Sequence, residues 1–197
     1  MMRKWRSPLL VVSFGLFGAT LEAQMETPIR FGVGAGATIP SVNVDGVDIL
    51  KTGYHFMGMV GFTPASIPVG LRGELMYHSN DAKDFNGTAK VLGGGLNAMW
   101  SFPLSGDNPV RPYLTGGVGF YKVEFEDSDD GSTVDETKFG LNGGGGLMFD
   151  LAGFGAFIEA RYISIFTEFN ANDGLGGTDK VKTNLIPITF GILLGGR

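Results

Sequence analysis

Hydrophobic and polar residues alternate with a period of two along most of the chain from residue 29 onward. This is the period of a β-strand with one apolar face, because successive strand side chains point to opposite sides of a sheet. Eight segments carry the pattern, at about 29–39, 53–63, 68–79, 88–102, 112–126, 137–151, 155–169 and 183–195. We therefore predict an all-β protein of eight strands.

The connections between these segments alternate in length. Those after the second, fourth and sixth segments are short or bounded by proline, whereas those after the others are longer and more polar, at about 40–52, 80–87, 127–136 and 170–182. Transmembrane barrels have an even number of antiparallel strands, short periplasmic turns and longer outside loops. The alternation predicts an eight-stranded antiparallel up-and-down transmembrane β-barrel, with short periplasmic turns and longer extracellular loops.

The composition of the polar face indicates which side of the barrel it occupies. Glycine supplies 33 of the 197 residues, and on this face it alternates with a few charged residues instead of the lysine and glutamate of a solvated surface. Inside a narrow barrel, glycines leave room for long side chains that reach across. The glycines in question are Gly93, Gly95, Gly117, Gly119, Gly144 and Gly146. The apolar face is thus predicted to face lipid; a soluble exported barrel of the lipocalin type is the alternative with the opposite polarity.

Aromatic residues on the apolar face divide into two groups by depth. Membrane barrels carry such belts at both interfaces; the general preference of aromatic residues for strands is the alternative explanation of the same positions. The predicted periplasmic belt is Phe31, Phe62, Trp100, Phe102 and Phe149, and the predicted outer belt is Tyr54, Phe56, Tyr77, Phe139, Tyr162 and Phe166.

Four charged residues are predicted to meet inside the barrel. Arg72 and Glu74 lie on the third segment, and Glu159 and Arg161 lie on the seventh, all on the inward face and at a similar height. Because buried charges must be paired, we expect a structural network that fills the lumen, in preference to a proton relay or an ion gate. A wide pore is not expected.

The sequence offers little catalytic or metal-binding chemistry. It contains no cysteine and two histidines, and the adjacent His78 and Ser79 point to opposite faces of a strand, where they cannot act as base and nucleophile. The acidic segment 124–136 does not have calcium-loop spacing; weak binding of divalent ions there is a hypothesis. We predict no enzyme activity, no cofactor and no metal site.

The amino terminus has the order of a secretory signal. Basic residues at Arg3, Lys4 and Arg6 precede an apolar run, residues 8–19, that is too short to span a bilayer. We predict a signal peptide over 1–23 and a barrel domain over 24–197. Cleavage would lower the formal net charge from −5 to −7, and this acidity argues against nucleic acid as a partner.

Three glycine- and aromatic-rich stretches, residues 113–121, 139–147 and 157–162, resemble the small bacterial outer-membrane barrels of the OmpA/OmpX type, the outer membrane protein beta-barrel domain group. The resemblance covers about residues 27–197. It fails at the end of the last strand, where such barrels usually carry an aromatic residue and this chain closes on Gly195-Gly196-Arg197. It implies a monomer in the cell outer membrane, with membrane lipids, lipopolysaccharide and the barrel-assembly machinery as partners. The expected role is structural or surface interaction through the outer loops; the alternative is a narrow porin-like channel for small solutes.

Overall fold

The structure is a computed structural model, and it describes part of the chain. The described residues are 29–44, 47–48, 50–64, 68–83, 87–102, 109–127, 133–151, 153–166 and 183–195, without the side chains of 42–44, 47–48, 126–127 and 133–134. The predicted signal peptide and the predicted cleavage position lie outside them. Within the described ranges no helix is long and apolar enough to cross a membrane.

Eight antiparallel strands form a closed up-and-down barrel, which confirms the predicted fold. The barrel strands are β1 (Ile29–Val44), β3 (Gly53–Phe62), β4 (Val69–Asp81), β5 (Gly87–Ser101), β6 (Val110–Asp127), β7 (Thr133–Leu151), β8 (Phe154–Ile165) and β9 (Thr183–Leu194). Each pairs with its neighbour in sequence, and pairing of β1 with β9 closes the sheet. An additional two-residue strand, β2 (Val47–Asp48), pairs only with the outer end of β1.

The register of the ladders gives the stagger of the barrel. Starting at Arg30 on β1, the paired positions lead through Gly61, Arg72, Asn97, Gly117, Asn142, Ile163 and Leu185 and return to β1 at Pro40. The return is ten residues further along β1, so the shear number is 10. Eight strands with this shear tilt by about 40°, and each residue then advances about 2.5 Å along the barrel axis.

The two ends of the barrel differ in construction. We call the end with connections 63–68, 102–109 and 152–153 the turn end, and the end with connections 45–52, 82–86, 128–132 and 166–182 the loop end. Several strands continue toward the loop end beyond their predicted limits; β1 reaches Val44 and β7 begins at Thr133. Residues 40–44 and 133–136, which were predicted as outer loops, therefore pair as strand.

The polarity of the barrel is inside-out. Leu75, Leu96 and Phe120 on the outward face are each at least 65% exposed, whereas Arg72 and Glu159 in the lumen are 1% exposed. A soluble lipocalin-like barrel requires the reverse, an apolar interior and a polar exterior. The polarity contradicts that alternative, because so much contiguous apolar surface is stable only against lipid.

The aromatic side chains of the two predicted belts lie on the outward face of the barrel. Nine of those eleven residues are exposed, and Tyr77 and Phe149 are half-buried. Near the turn end, Trp100 and Phe102 stack with ring centroids 5.7 Å apart. Near the loop end Phe139 contacts Phe166 at 6.1 Å and also Phe120 at 5.7 Å, a residue that the sequence interpretation did not place in the belt.

Candidate functional site

The predicted charged residues come from opposite walls of the barrel. Arg72 and Glu74 alternate inward on β4, and Glu159 and Arg161 alternate inward on β8, four strands away around the eight-stranded barrel. The stagger places them at similar levels, with the Glu159–Arg161 pair only about 3 Å nearer the loop end than the Arg72–Glu74 pair. Their side chains meet across the lumen.

The four side chains form a closed ring of alternating charge, which we call the charge ring. Arg72 donates to Glu159 through Nη1 at 2.7 Å and Nη2 at 3.1 Å, and Arg161 Nη1 donates to Glu74 Oε1. The other two contacts, Arg72 Nε to Glu74 at 3.1 Å and Arg161 Nε to Glu159 at 2.9 Å, are between charges and lack hydrogen-bond angles. Each carboxylate thus touches both guanidinium groups.

Neutral polar residues from β6 and β7 surround the charge ring. Tyr113 Oη donates to Glu159 Oε2 at 2.8 Å, and Arg72 Nη2 donates to Thr115 Oγ1 at 3.4 Å. Arg161 Nη1 also donates to Asn142 Oδ1 at 3.5 Å. These partners satisfy part of the remaining hydrogen-bonding capacity of the ring, which lowers the cost of burying four charges.

Glycines on the lumen wall make room for large side chains. A Cβ at Gly144 would lie 2.2 Å from the Ala160 carbonyl oxygen and 2.7 Å from Cγ of Arg161. At Gly146 it would lie 2.7 Å from the Tyr113 hydroxyl, and at Gly93 it would lie 2.5 Å from the Tyr121 ring. The sequence interpretation assigned this space to charged side chains; the structure gives part of it to the two tyrosines.

A histidine pair, which sequence reasoning did not single out, lies nearer the loop end. His55 on β3 is paired with His78 on β4, both are fully buried, and their ring centroids are 5.3 Å apart. The Thr38 hydroxyl contacts both Nδ1 atoms, at 3.0 Å for His55 and 2.8 Å for His78. His55 Nε2 lies 2.8 Å from Thr189 Oγ1. The sequence places both histidines on the inward faces of neighbouring strands, but their direct pairing depends on the register between β3 and β4.

Several buried polar atoms near these groups have no hydrogen-bond partner. They are both amide atoms of Asn97, Nδ2 of Asn142 and Nε2 of His78. Buried polar groups of native proteins are nearly always paired. These atoms therefore carry unused hydrogen-bonding capacity in the lumen.

A cavity of about 460 Å³ opens at the turn end. Its lining includes Arg30, Arg111, Asp150, Phe154 and Leu193. Arg111 Nε donates to Asp150 at 2.7 Å, while Arg30 Nη1 lies 3.9 Å from the same carboxylate. Because these side chains are partly exposed, their ion pairs contribute little to stability.

The described residues contain no cluster of conventional metal ligands. Within them no group of three or more histidine, aspartate and glutamate side chains is arranged to hold a metal. His78 faces the lumen, and Ser79, the next residue of the strand, belongs to the opposite face. In the acidic segment, Glu124 and Asp135 lie beside Lys122 on paired strands, and residues 128–132 are outside the described part.

Comparisons with known proteins agree with this geometry. A family model described as the outer membrane protein beta-barrel domain matches residues 9–192, and no curated protein matches the chain. Among solved structures, Neisserial surface protein A aligns with a TM-score of 0.64 at 16% identity, over 86% of this chain and 97% of that one.

Two further structures show the same architecture. A major outer membrane protein of Thermus thermophilus aligns with a TM-score of 0.55 at 16% identity, over 84% of this chain and 98% of that one. The attachment invasion locus protein Ail of Yersinia pestis aligns with a TM-score of 0.51 at 19% identity, over 86% of this chain and 100% of that one. At these identities the similarity shows a shared fold.

Proposed function

The chain belongs to the outer membrane protein beta-barrel domain family, and from this membership we propose that it is a non-catalytic integral protein of the bacterial outer membrane that acts at the cell surface through its loop end. The similar solved structures, which are outer-membrane barrels, support this location. The proposal includes export with cleavage of residues 1–23, insertion by the barrel-assembly machinery, and a monomer surrounded by membrane lipids and lipopolysaccharide.

One observation carries the surface role: the outward face changes abruptly from apolar to charged along the β6–β7 ladder. The last aromatic pair is Phe120 with Phe139, and the next outward pairs are Lys122 with Thr137 and Glu124 with Asp135. A lipid-facing surface tolerates the first pair and excludes the other two. The boundary of the membrane therefore lies between Phe120 and Lys122.

Beyond this boundary β6 and β7 continue as a paired hairpin. β6 runs seven residues past Phe120 to Asp127, which corresponds to roughly 17 Å along the barrel axis. The Lys122 ammonium lies 3.1 Å from Asp135 and 3.6 Å from Glu124, and its hydrogen bond with Asp135 is the main cause of its raised pKa. The projecting hairpin is a water-exposed, ordered element, which suits a role in recognition.

Within the described residues, the projecting part of β7 also offers backbone groups for strand addition. Pairing of β7 with β8 starts at Gly140, opposite Ile165. In the described chain the β8 side of Thr133–Phe139 makes one backbone contact, from the Phe166 amide to the Phe139 carbonyl at 3.0 Å. An extended segment of a partner protein can bind such an edge through main-chain hydrogen bonds.

The lumen favours a surface role over solute transport. The charge ring crosses the lumen near the middle, and the buried side chains of Val91, Ile163, Ile165 and Leu185 fill it toward the loop end. The porin-like alternative requires discrete conductance in planar bilayers that changes on Arg161→Ala; our proposal requires none in the unmodified chain.

Site-specific labelling tests the proposed arrangement, because the chain contains no cysteine. Asp135→Cys places a thiol on the projecting hairpin, Leu96→Cys places one on the apolar band, and Arg111→Cys places one at the turn end. A membrane-impermeant maleimide applied to intact cells should label only the Asp135→Cys variant. After lysis it should also label Arg111→Cys, while Leu96→Cys stays protected until the barrel is denatured.

Two outcomes would overturn the proposal. Labelling of Arg111→Cys but not Asp135→Cys in intact cells would show that the barrel has the opposite orientation, with its turn end at the cell surface. Labelling of Leu96→Cys in the folded protein would show that the apolar band faces water. A gel-mobility control on each variant confirms that it is folded before labelling.

A further inference from the structure

The inward faces of β3 and β4 bring together both histidines of the chain and two buried methionines. His55 is paired with His78, and Met57 with Met76, in adjacent inward positions of the same ladder. Met57 and Met76 are 4% and 3% exposed and belong to one buried cluster. Directly opposed residues have Cβ atoms only about 5 Å apart, so the four side chains occupy one small patch of the lumen wall.

Hydrogen bonding leaves one ring nitrogen of this patch, His78 Nε2, without a partner. The Thr38 hydroxyl has a single proton and contacts Nδ1 of both imidazoles, so it donates to one ring and accepts from the other. If Thr38 donates to His55 Nδ1, then His55 Nε2–H donates to Thr189 and His78 Nδ1–H donates to Thr38. His78 Nε2 then carries a bare lone pair, with no partner in the lumen.

The opposite assignment is less favourable. It would leave an N–H group, instead of a lone pair, unpartnered at His78 Nε2, and buried N–H donors without partners are the rarer defect. The favoured tautomer is also that of a metal-ligating histidine, whose second ring nitrogen donates to an oxygen acceptor. Thr38 Oγ1 is that acceptor, at 2.8 Å.

We propose that His78 Nε2 and the thioether sulfurs of Met57 and Met76 form a binding site for one Cu(I) ion inside the lumen. Thioether and imidazole ligands select Cu(I) over the hard divalent ions, which prefer oxygen. A monovalent ion also suits a patch of neutral donors, because its charge is cheaper to bury than that of a divalent ion.

The neighbouring charge ring is compatible with this ion. Arg161 Nη2 donates to Met76 Sδ at 2.8 Å, which uses one of the two sulfur lone pairs and leaves the other for the metal. The positive charge of Arg161 is balanced by the Glu74 and Glu159 carboxylates, both of which contact it. The ion therefore enters surroundings in which the fixed charges already cancel.

Binding is tested with Cu(I) alone on the full chain, refolded in detergent. Because the patch is buried, Cu(I) is supplied anaerobically during refolding, and a chromophoric Cu(I) chelator then competes for it. We expect one Cu(I) retained per folded barrel, with X-ray absorption showing sulfur and nitrogen ligands. Folded wild-type protein that leaves all copper with the chelator, or copper without sulfur ligands, would overturn the proposal.

Matched variants separate a metal site from ordinary core packing. Met57→Leu and Met76→Leu keep the volume of the side chain and remove the sulfur, and each should weaken Cu(I) binding at least tenfold in protein whose gel mobility shows it to be folded. His78→Gln should do the same. Met148→Leu, at the turn end of the lumen, should leave binding unchanged. A folded Met57→Leu/Met76→Leu double variant that binds Cu(I) as tightly as wild type would refute the site.

Discussion

At the scale of single residues, the charged side chains in the lumen are as deeply buried as the core residues of a soluble protein. The carboxylate of Glu159 contacts two arginines and a tyrosine and is essentially inaccessible to water. Asp150 at the turn end also contacts two arginines, but its side chain is 35% exposed. The contacts of Glu159 therefore affect stability more than the similar contacts of Asp150, because solvent screens the charges around Asp150 but not those around Glu159.

Glu159→Gln should destabilise the barrel strongly. The change leaves Arg72 and Arg161 with one carboxylate between them in a buried site, which typically costs about 3–5 kcal/mol. Urea unfolding followed by gel mobility measures the loss. Asp150→Asn is the matched control and should cost less than about 1 kcal/mol; equal losses for both variants would contradict the difference in screening.

Adjacent glycines of β7 should respond oppositely to a methyl group. Gly144→Ala places a Cβ 2.2 Å from the Ala160 carbonyl oxygen, where the backbone must shift, while Gly143→Ala places it no closer than 3.9 Å to any atom beyond its chain neighbours. The first variant should lose about 3 kcal/mol or fail to fold, and the second should remain within about 0.5 kcal/mol of wild type. Comparable refolding yields for the two would show that the lumen is less tightly filled than we describe.

At the scale of strands, the period-two pattern predicts the number, order and facing of the barrel elements, because each strand has one face in lipid. The lipid-facing apolar residues stop where a strand leaves the membrane, as along residues 133–136, Thr-Val-Asp-Glu. For this reason the sequence predicts a loop there and the structure shows a paired strand. The two-residue strand β2 has no periodicity to reveal it.

The same reasoning explains which parts of the lumen could be predicted. Arg72, Glu74, Glu159 and Arg161 stand out as charges in an otherwise glycine-rich face, so their inward facing follows from alternation and their similar height follows from counting residues along the two strands. The meeting of His55 and His78 depends on the register between β3 and β4, and the shared contact with Thr38 depends on the stagger that brings β1 to the same level. The alternation of apolar and polar residues gives neither this register nor this stagger.

Removal of the projecting hairpin should leave the barrel intact. Deletion of residues 127–136 takes away the hairpin tip and strand beyond the apolar band, and the barrel below keeps every lipid-facing pair. The deletion variant should refold and show the same heat-dependent gel shift as wild type. Deletion of Gly143 alone should prevent folding, because a one-residue slip moves every later side chain of β7 to the other face. Failure of the ten-residue deletion to fold would contradict the boundary at Phe120.

At the scale of the whole molecule, the fold depends on the membrane in which it sits. Closure of β1 on β9 leaves no strand edge within the band, so backbone hydrogen bonds are satisfied internally, as a lipid environment requires. The outward side chains are apolar through the same band and charged beyond it. A barrel of this kind is stable in lipid or detergent and has no stable counterpart in water.

The most direct test of this account compares boiled and unboiled samples of isolated outer-membrane fraction on an SDS gel. Closed barrels resist detergent until heated, because every backbone hydrogen bond lies within the sheet. We predict that the protein is present in this fraction and that its mobility changes on boiling. Its appearance in the periplasmic extract, with the same mobility before and after boiling, would contradict the inside-out barrel.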